Sequence, residues 1–234
     1  TYQFKIYKNI MSGWPIYNTA ATYGFTYSPI VMADLDKDGR DEIIVSYAYQ
    51  TVIYKSDGSI FARLPRGDYT RAASVGDVDN DGYKDLVIHD YTFEQKLYLY
   101  HGSSQGLINP IVISMPNLIT LYQSFSSTPV LYDLNNDGKL EIIHTGLSGK
   151  VYILDSNLNN FNSQWPKDLA GEYSVTSPVI GDINKDGIPE IVVLTKQNKL
   201  YALKPDGTLL SGFPVIFDSG ATAIGTASPT LADL

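Results

Sequence analysis

Apolar residues along this chain come in short bursts rather than helical stripes. Glu42-Ile-Ile-Val45 is followed by Val52-Ile-Tyr54, Asp85-Leu-Val-Ile88 by Leu97-Tyr-Leu-Tyr100, and Glu141-Ile-Ile143 by Val151-Tyr-Ile-Leu154. Each run is too short for a stable helix, is rich in Val, Ile and Tyr, and is bounded by Gly, Pro, Asn or Asp, which predicts strands. The runs come in pairs, and one unit can be read strand by strand. Ser177-Pro178-Val179-Ile180-Gly181 is a first strand, and Glu190-Ile-Val-Val-Leu194 is a second, apolar enough to be buried on both faces. Lys199-Leu-Tyr-Ala-Leu203 alternates as a third and ends at the turn signal Pro205-Asp206-Gly207. Phe213-Pro214-Val215-Ile216 is predicted as the outermost strand, because an edge tolerates proline.

Between the first and second strand of every unit lies an acidic loop. The loops run Asp34–Glu42, Asp77–Asp85, Asp133–Glu141 and Asp182–Glu190, with side-chain oxygens at positions 1, 3, 5 and 9 and glycine at 6. Oxygen donors at that spacing wrap a hard cation such as Ca²⁺, and glycine at 6 permits the positive φ that the wrap requires. The predicted metal ligands are Asp34, Asp36, Asp38 and Glu42; Asp77, Asp79, Asp81 and Asp85; Asp133, Asn135, Asp137 and Glu141; and Asp182, Asn184, Asp186 and Glu190. Position 7 adds a backbone carbonyl in each loop, from Arg40, Tyr83, Lys139 and Ile188. About four structural Ca²⁺ ions are therefore expected, the third and fourth loops binding more weakly because Asn replaces Asp at position 3. Magnesium needs a tighter octahedron, and zinc is not expected in a chain with no cysteine and 3 scattered histidines.

The first Asp of successive loops falls at 34, 77, 133 and 182, and Ser228-Pro229-Thr230-Leu231-Ala232-Asp233 begins a further copy. Repeats of this length suit four-stranded propeller blades better than helical repeats. The expected fold is all-β, a β-propeller with calcium loops between first and second strands, in which the chain covers four full blades and parts of two more. The units are 1–27 (end of a preceding blade), 28–71, 72–126, 127–175, 176–226 and 227–234 (start of a further blade). The remaining blades are expected from the parent protein or from a partner chain.

The pattern Ser-Pro, an apolar pair, Asp-x-Asp/Asn-x-Asp-Gly-x-x-Asp/Glu, then Ile/Leu-Ile/Val resembles the FG-GAP/VCBS repeat family, whose calcium-loop propellers also occur in integrin alpha subunits. The resemblance spans nearly the whole chain, although literal Phe-Gly and Gly-Ala-Pro elements are missing. It is nearer the bacterial surface-protein type than an integrin subunit, and it implies a secreted or cell-surface module. Some pectin lyases are similar, being large propellers with the same Asp-rich loops.

Charge sharpens the picture. The 234 residues carry a formal net charge of −8, and the ligand positions of the four loops hold 14 of the 25 acidic residues. Four Ca²⁺ ions bring the total to zero, so the acidity is mostly metal-site acidity. No basic stripe is available to meet phosphates, which argues against nucleic acid, and no apolar stretch approaches bilayer length. Catalytic motifs are absent: there is no nucleophile elbow, phosphate loop or dinucleotide fingerprint, and His89, His101 and His144 occupy non-equivalent repeat positions. The expected role is therefore a binding or adhesion module for carbohydrate or a surface protein, not an enzyme, with the calcium structural. The alternatives are a lyase-like propeller domain and a purely structural scaffold. Aromatic residues between blades and after second strands form the candidate ligand face: Tyr23, Tyr49, Tyr69, Tyr91, Tyr122 and Tyr173, with Arg71. Asp90 and Glu172 are further polar candidates. Extracellular calcium modules bind at about 10⁻⁴ to 10⁻³ M, so such sites fill outside the cytosol and stay largely empty within it.

Overall fold

A computed structural model describes residues 29–47, 50–64, 70–90, 95–115, 127–146, 148–174, 176–217 and 228–232, with backbone only at Tyr47 and Thr70–Ala72. These residues form four antiparallel sheets of four strands each, in simple sequential order. The first sheet holds β1 (Val31–Ala33), β2 (Glu42–Tyr47), β3 (Gln50–Tyr54) and β4 (Ile60–Arg63); the second holds β5 (Thr70–Gly76), β6 (Asp85–Asp90), β7 (Lys96–Tyr100) and β8 (Ile111–Ser114). The third holds β9 (Val130–Tyr132), β10 (Glu141–Thr145), β11 (Lys150–Leu154) and β12 (Lys167–Asp168). The fourth holds β13 (Val179–Gly181), β14 (Glu190–Leu194), β15 (Lys199–Leu203) and β16 (Val215–Ile216). No helix occurs among the described residues. The fourth strand of the last sheet is shorter than the sequence pattern suggests, starting after Pro214, whose nitrogen has no proton to give the ladder.

The cores lie between sheets, and the period of 2 along the second strands explains how. Ile142 packs with Val87, Leu97, Leu99 and Met115 of the second sheet, whereas its neighbour Ile143 packs with Ile191, Val193 and Leu203 of the fourth. In the same way Leu86 and Ile88 face the first sheet while Val87 faces the third. A strand that feeds two interfaces is buried on both faces, which is why β6, β10 and most of β14 are continuous buried runs with apolar centres and polar residues at their ends. This face-to-face stacking of four-stranded sheets is propeller-blade packing.

Small residues let the blades close up. A Cβ on Gly76 at the end of β5 would lie 2.8 Å from Leu131 Cδ1, and one on Gly181 at the end of β13 would lie 2.8 Å from Leu231 Cδ1. Hydrogen bonds repeat across the same junctions: the N–H of Thr128 donates to Ser177 Oγ (2.8 Å), and the N–H of Ser177 donates to Ser228 Oγ (3.1 Å). Residues 228–232 thus sit against the fourth sheet as β13 sits against the third.

Candidate metal centres and their setting

Each acidic loop is built by its own backbone before any ion is considered. In the first, the N–H of Asp38 donates to Asp34 Oδ1 and Asp36 Oδ1, both at 3.2 Å, while Gly39 N–H reaches Asp34 Oδ2 at 2.9 Å. The N–H of Arg40 donates to Asp38 Oδ1 at 2.8 Å. Glu42 opens β2, is buried, and accepts the N–H of Leu35 at 2.8 Å. The same donors and acceptors recur at Asp77–Asp85, Asp133–Glu141 and Asp182–Glu190. Glycine at position 6 has φ between 83° and 88° in all four, as Gly39, Gly82, Gly138 and Gly187. Position 4 is left-handed too, at Lys37, Asn80, Asn136 and Lys185, with φ near 60°. Asn80 and Asn136 suit that second turn, whereas Lys37 and Lys185 are unusual residues there and give no warning of it.

Carboxylate oxygens converge most tightly in the first two loops. One oxygen each from Asp34, Asp36 and Glu42, and one each from Asp77, Asp79 and Asp81, lie within 4.8 Å of one another. In the third and fourth loops the position-3 amide donates instead, Asn135 Nδ2 to Asp137 Oδ2 at 3.0 Å and Asn184 Nδ2 to Asp186 Oδ2 at 2.9 Å. Burial pushes the carboxyls of Glu42, Asp85 and Glu141 above the ordinary range, against the pull of the backbone N–H groups they accept. Glu190 Oε1 is buried with no hydrogen-bond partner. A carboxylate oxygen left bare in the interior is costly unless a cation or proton meets it. The donor sets of the loops, hard oxygens throughout, fit a cation such as Ca²⁺, and in the fourth loop this orphaned atom adds an unmet demand for positive charge.

The first three loops stand side by side. Lys37 Nζ lies 3.6 Å from the Tyr83 ring centroid, joining the first loop to the second, and the N–H of Leu140 donates to Val78 O at 3.1 Å, joining the second to the third. A residue just beyond the third strand also reaches the loop in three of the four sheets. Lys55 Nζ contacts Asp36 Oδ2 at 2.8 Å and holds the Asp36 carboxyl below its ordinary value, and Lys204 Nζ contacts Asp186 Oδ2 at 3.1 Å. Asp155 occupies the same slot in the third sheet, where it instead accepts the N–H groups of Asn157 and Asn159. His101 occupies it in the second. Aligning the third strands of the repeats would have revealed this slot; the loop motif alone does not.

Of the candidate ligand-face residues, Tyr23, Tyr49, Tyr69, Tyr91 and Tyr122 lie outside the described residues, and Arg71 is described in backbone only, within β5. Tyr173 is half-buried, with Lys196 Nζ 5.8 Å from its ring centroid. Asp90 and Glu172 are committed inward. Asp90 accepts the Tyr98 hydroxyl at 3.0 Å, and Glu172 takes Thr195 Oγ1 at 3.0 Å and pairs with Lys199. His89 and His144 are buried against each other across the second and third sheets, ring centroids 4.3 Å apart.

Similarity to known proteins follows the same segments. The model of the FG-GAP-like repeat matches residues 34–88 and 133–193. Integrin alpha-3 of Cricetulus griseus is 28% identical over 156 residues, 54% of this chain and 14% of that protein. Human integrin alpha-7 is 24% identical over 176 residues, 67% of this chain and 13% of that protein. The chain therefore spans about a seventh of the length of these curated relatives. Among solved structures, BBS1N in complex with ARL6DN superposes with a TM-score of 0.56 at 16% identity, covering 88% of this chain and 62% of that one. The V. cholerae biofilm matrix protein Bap1 gives 0.53 at 21% identity, covering 77% of this chain and 27% of that one. Both likenesses concern the fold. Four stacked four-stranded blades, an acidic loop between the first two strands of each, and the family match on those loops lead to one statement: the chain belongs to the FG-GAP-like repeat family.

Proposed function

We propose that this chain is a calcium-stabilised segment of a β-propeller that works outside the cytosol as an adhesion-type binding module. The single observation that carries the calcium reading is the cradle repeated in four loops, with its converging carboxylates and the bare buried oxygen of Glu190. The side chains at positions 1, 3, 5 and 9 of each loop, with the carbonyls of Arg40, Tyr83, Lys139 and Ile188, would hold the ions. Bound calcium supplies positive charge that cancels the repulsion among clustered carboxylates and ties the first strand of a blade to its second. The integrin alpha relatives favour an adhesion role over catalysis. The partner is a carbohydrate or a surface protein, met by Tyr23, Tyr49, Tyr69, Arg71, Tyr91, Tyr122 and Tyr173.

The experiment is binding of the full chain to a panel of polysaccharides and surface proteins, with millimolar calcium and with chelator in parallel. Calcium-dependent binding without cleavage is expected, and alanine at the tyrosine positions should weaken it. Shortened polysaccharide products would replace this reading with a lyase. Absence of binding to either class would leave a scaffold role.

A further inference from the structure

A backbone hydrogen bond joins the second loop to the third between positions that matter to both. The N–H of Leu140, position 8 of the third loop, donates to the carbonyl oxygen of Val78, position 2 of the second, at 3.1 Å. That N–H belongs to the same peptide unit as the carbonyl of Lys139, the position-7 oxygen assigned to the third loop's ion. One flat, rigid peptide therefore offers its oxygen to one loop and its N–H to the next. Val78 is fully buried between Asp77 and Asp79, and its own N–H donates to Asp85 Oδ2 at 2.6 Å. The ligand positions of two loops thus hang on one short run of backbone.

Close packing leaves this junction no slack. A Cβ on Gly138 would lie 3.0 Å from Asn80 Nδ2, and one on Gly76, which precedes Asp77, would lie 2.9 Å from Leu140 Cδ1. A shift in either loop is passed to the other, because a close-packed contact transmits strain. A cation at the Lys139 carbonyl also polarises its peptide, which makes the Leu140 N–H a stronger donor to Val78. The fourth loop is denied this link. Its position 8 is Pro189, which has no N–H to give Leu134, the corresponding acceptor in the third loop.

We propose that the second and third loops bind calcium as a coupled pair, each ion raising the other loop's affinity through the Leu140–Val78 peptide link, while the fourth loop binds on its own. This rests on reading the loops as calcium cradles, and it adds a regulation to that reading. Linkage makes the coupling reciprocal. The third loop, with Asn135 in place of an aspartate, draws affinity from the all-aspartate second loop. The interface between the second and third blades therefore tightens over a narrower range of calcium than independent sites allow.

The test is a calcium titration of the ¹⁵N-labelled full chain followed by NMR. In every loop the glycine at position 6 donates its N–H to the first aspartate, so the amides of Gly82, Gly138 and Gly187 read the second, third and fourth loops separately. Asp77→Asn strips a ligand charge from the second loop. It is expected to weaken calcium at Gly138 at least about fivefold and to leave Gly187 unmoved. In Leu140→Pro the same change should shift Gly138 far less. The charge lost at Asp77 acts alike in both backgrounds, so the difference between them reads the peptide link. Leu140→Pro copies the fourth loop's own residue, and Pro189→Leu supplies the converse variant. With that N–H restored, the Gly187 midpoint should come to depend on Asp133→Asn, a result that stands even where Leu140→Pro does not fold. A Gly138 midpoint indifferent to Asp77→Asn, or equally sensitive to it in Leu140→Pro, overturns the coupling. Glycine amides that follow calcium at independent midpoints sink the coupling alone. Amides that ignore millimolar calcium sink the calcium reading with it.

Discussion

At the scale of single residues, two histidines and one glycine carry the sharpest consequences. Burial holds His89 at a pKa of about 4, and burial together with the neighbouring His89 holds His144 well below its ordinary value. In the unfolded chain both titrate near 6.5. The unfolded state therefore takes up protons that the fold refuses, so stability is full above about pH 6.5 and falls as pH drops towards 4, by about 3 kcal/mol for His89 alone. The buried carboxyls of Glu42, Asp85 and Glu141 act in the opposite sense, because their raised values let the fold accept protons first. Urea midpoints measured in chelator across this range should fall on acidification, and His144→Phe should flatten the fall; an unchanged slope would refute the histidine origin. Gly102 shows how tightly the second loop is walled. A Cβ there would stand 2.4 Å from the carbonyl oxygen of Lys84 and 2.9 Å from Tyr83 Cβ. Backbone cannot swing aside as a side chain can, so Gly102→Ala should cost about 2–3 kcal/mol and disturb the Gly102 N–H bond to Asp85, visible as a lowered melting temperature with and without metal.

At the scale of elements, the loop and the third strand act together. The ammonium of Lys55 contacts an oxygen of Asp36, and that of Lys204 contacts one of Asp186, so each adds a positive charge beside a calcium cradle. A divalent ion bound a few ångströms away is repelled by that ammonium. Lys55→Met should therefore tighten calcium at the first loop, measured by calorimetry; unchanged affinity would mean that the ammonium swings clear when the ion enters. The strand reading itself needed little beyond the alternation of apolar residues. Glu190–Leu194 and Lys199–Leu203 are strands over the predicted limits, because central blade strands must be apolar on both faces and nothing else competes for those residues. The fourth strands were harder to read. β12 and β16 are only two residues long, held by a few ladder bonds at an exposed edge, and leave little hydrophobic pattern.

At the scale of the whole molecule, stability rests on interfaces between blades and on neutralised charge. The formal net charge is −8, concentrated in the acidic loops, the first three of which stand side by side. At millimolar calcium each site of millimolar to submillimolar affinity adds roughly 0.4–1.4 kcal/mol, so four together contribute a few kcal/mol, a sizeable part of a domain's net stability. Chelation should lower the melting temperature by several degrees, and re-added calcium should restore it. A melting temperature indifferent to calcium would sink the structural role of the ion.

The sequence by itself determined the repeat, the strand alternation and the four acidic loops, because each is a local pattern of residue types within a span of about nine to fifty positions. Loop geometry follows from glycine at position 6 and from carboxylates that accept the loop's own N–H groups, all contacts short in sequence. Only the tertiary structure decided which residues from other strands stand over the loops. His101 reaches Asp85 from 16 positions away and Ser156 from 55, and Lys55 reaches Asp36 from 19. It also decided that Asp90 and Glu172, exposed candidates by composition, spend their oxygens inside the protein. Such pairings depend on where one hairpin ends relative to its neighbour, a distance in space that no local pattern of residues encodes.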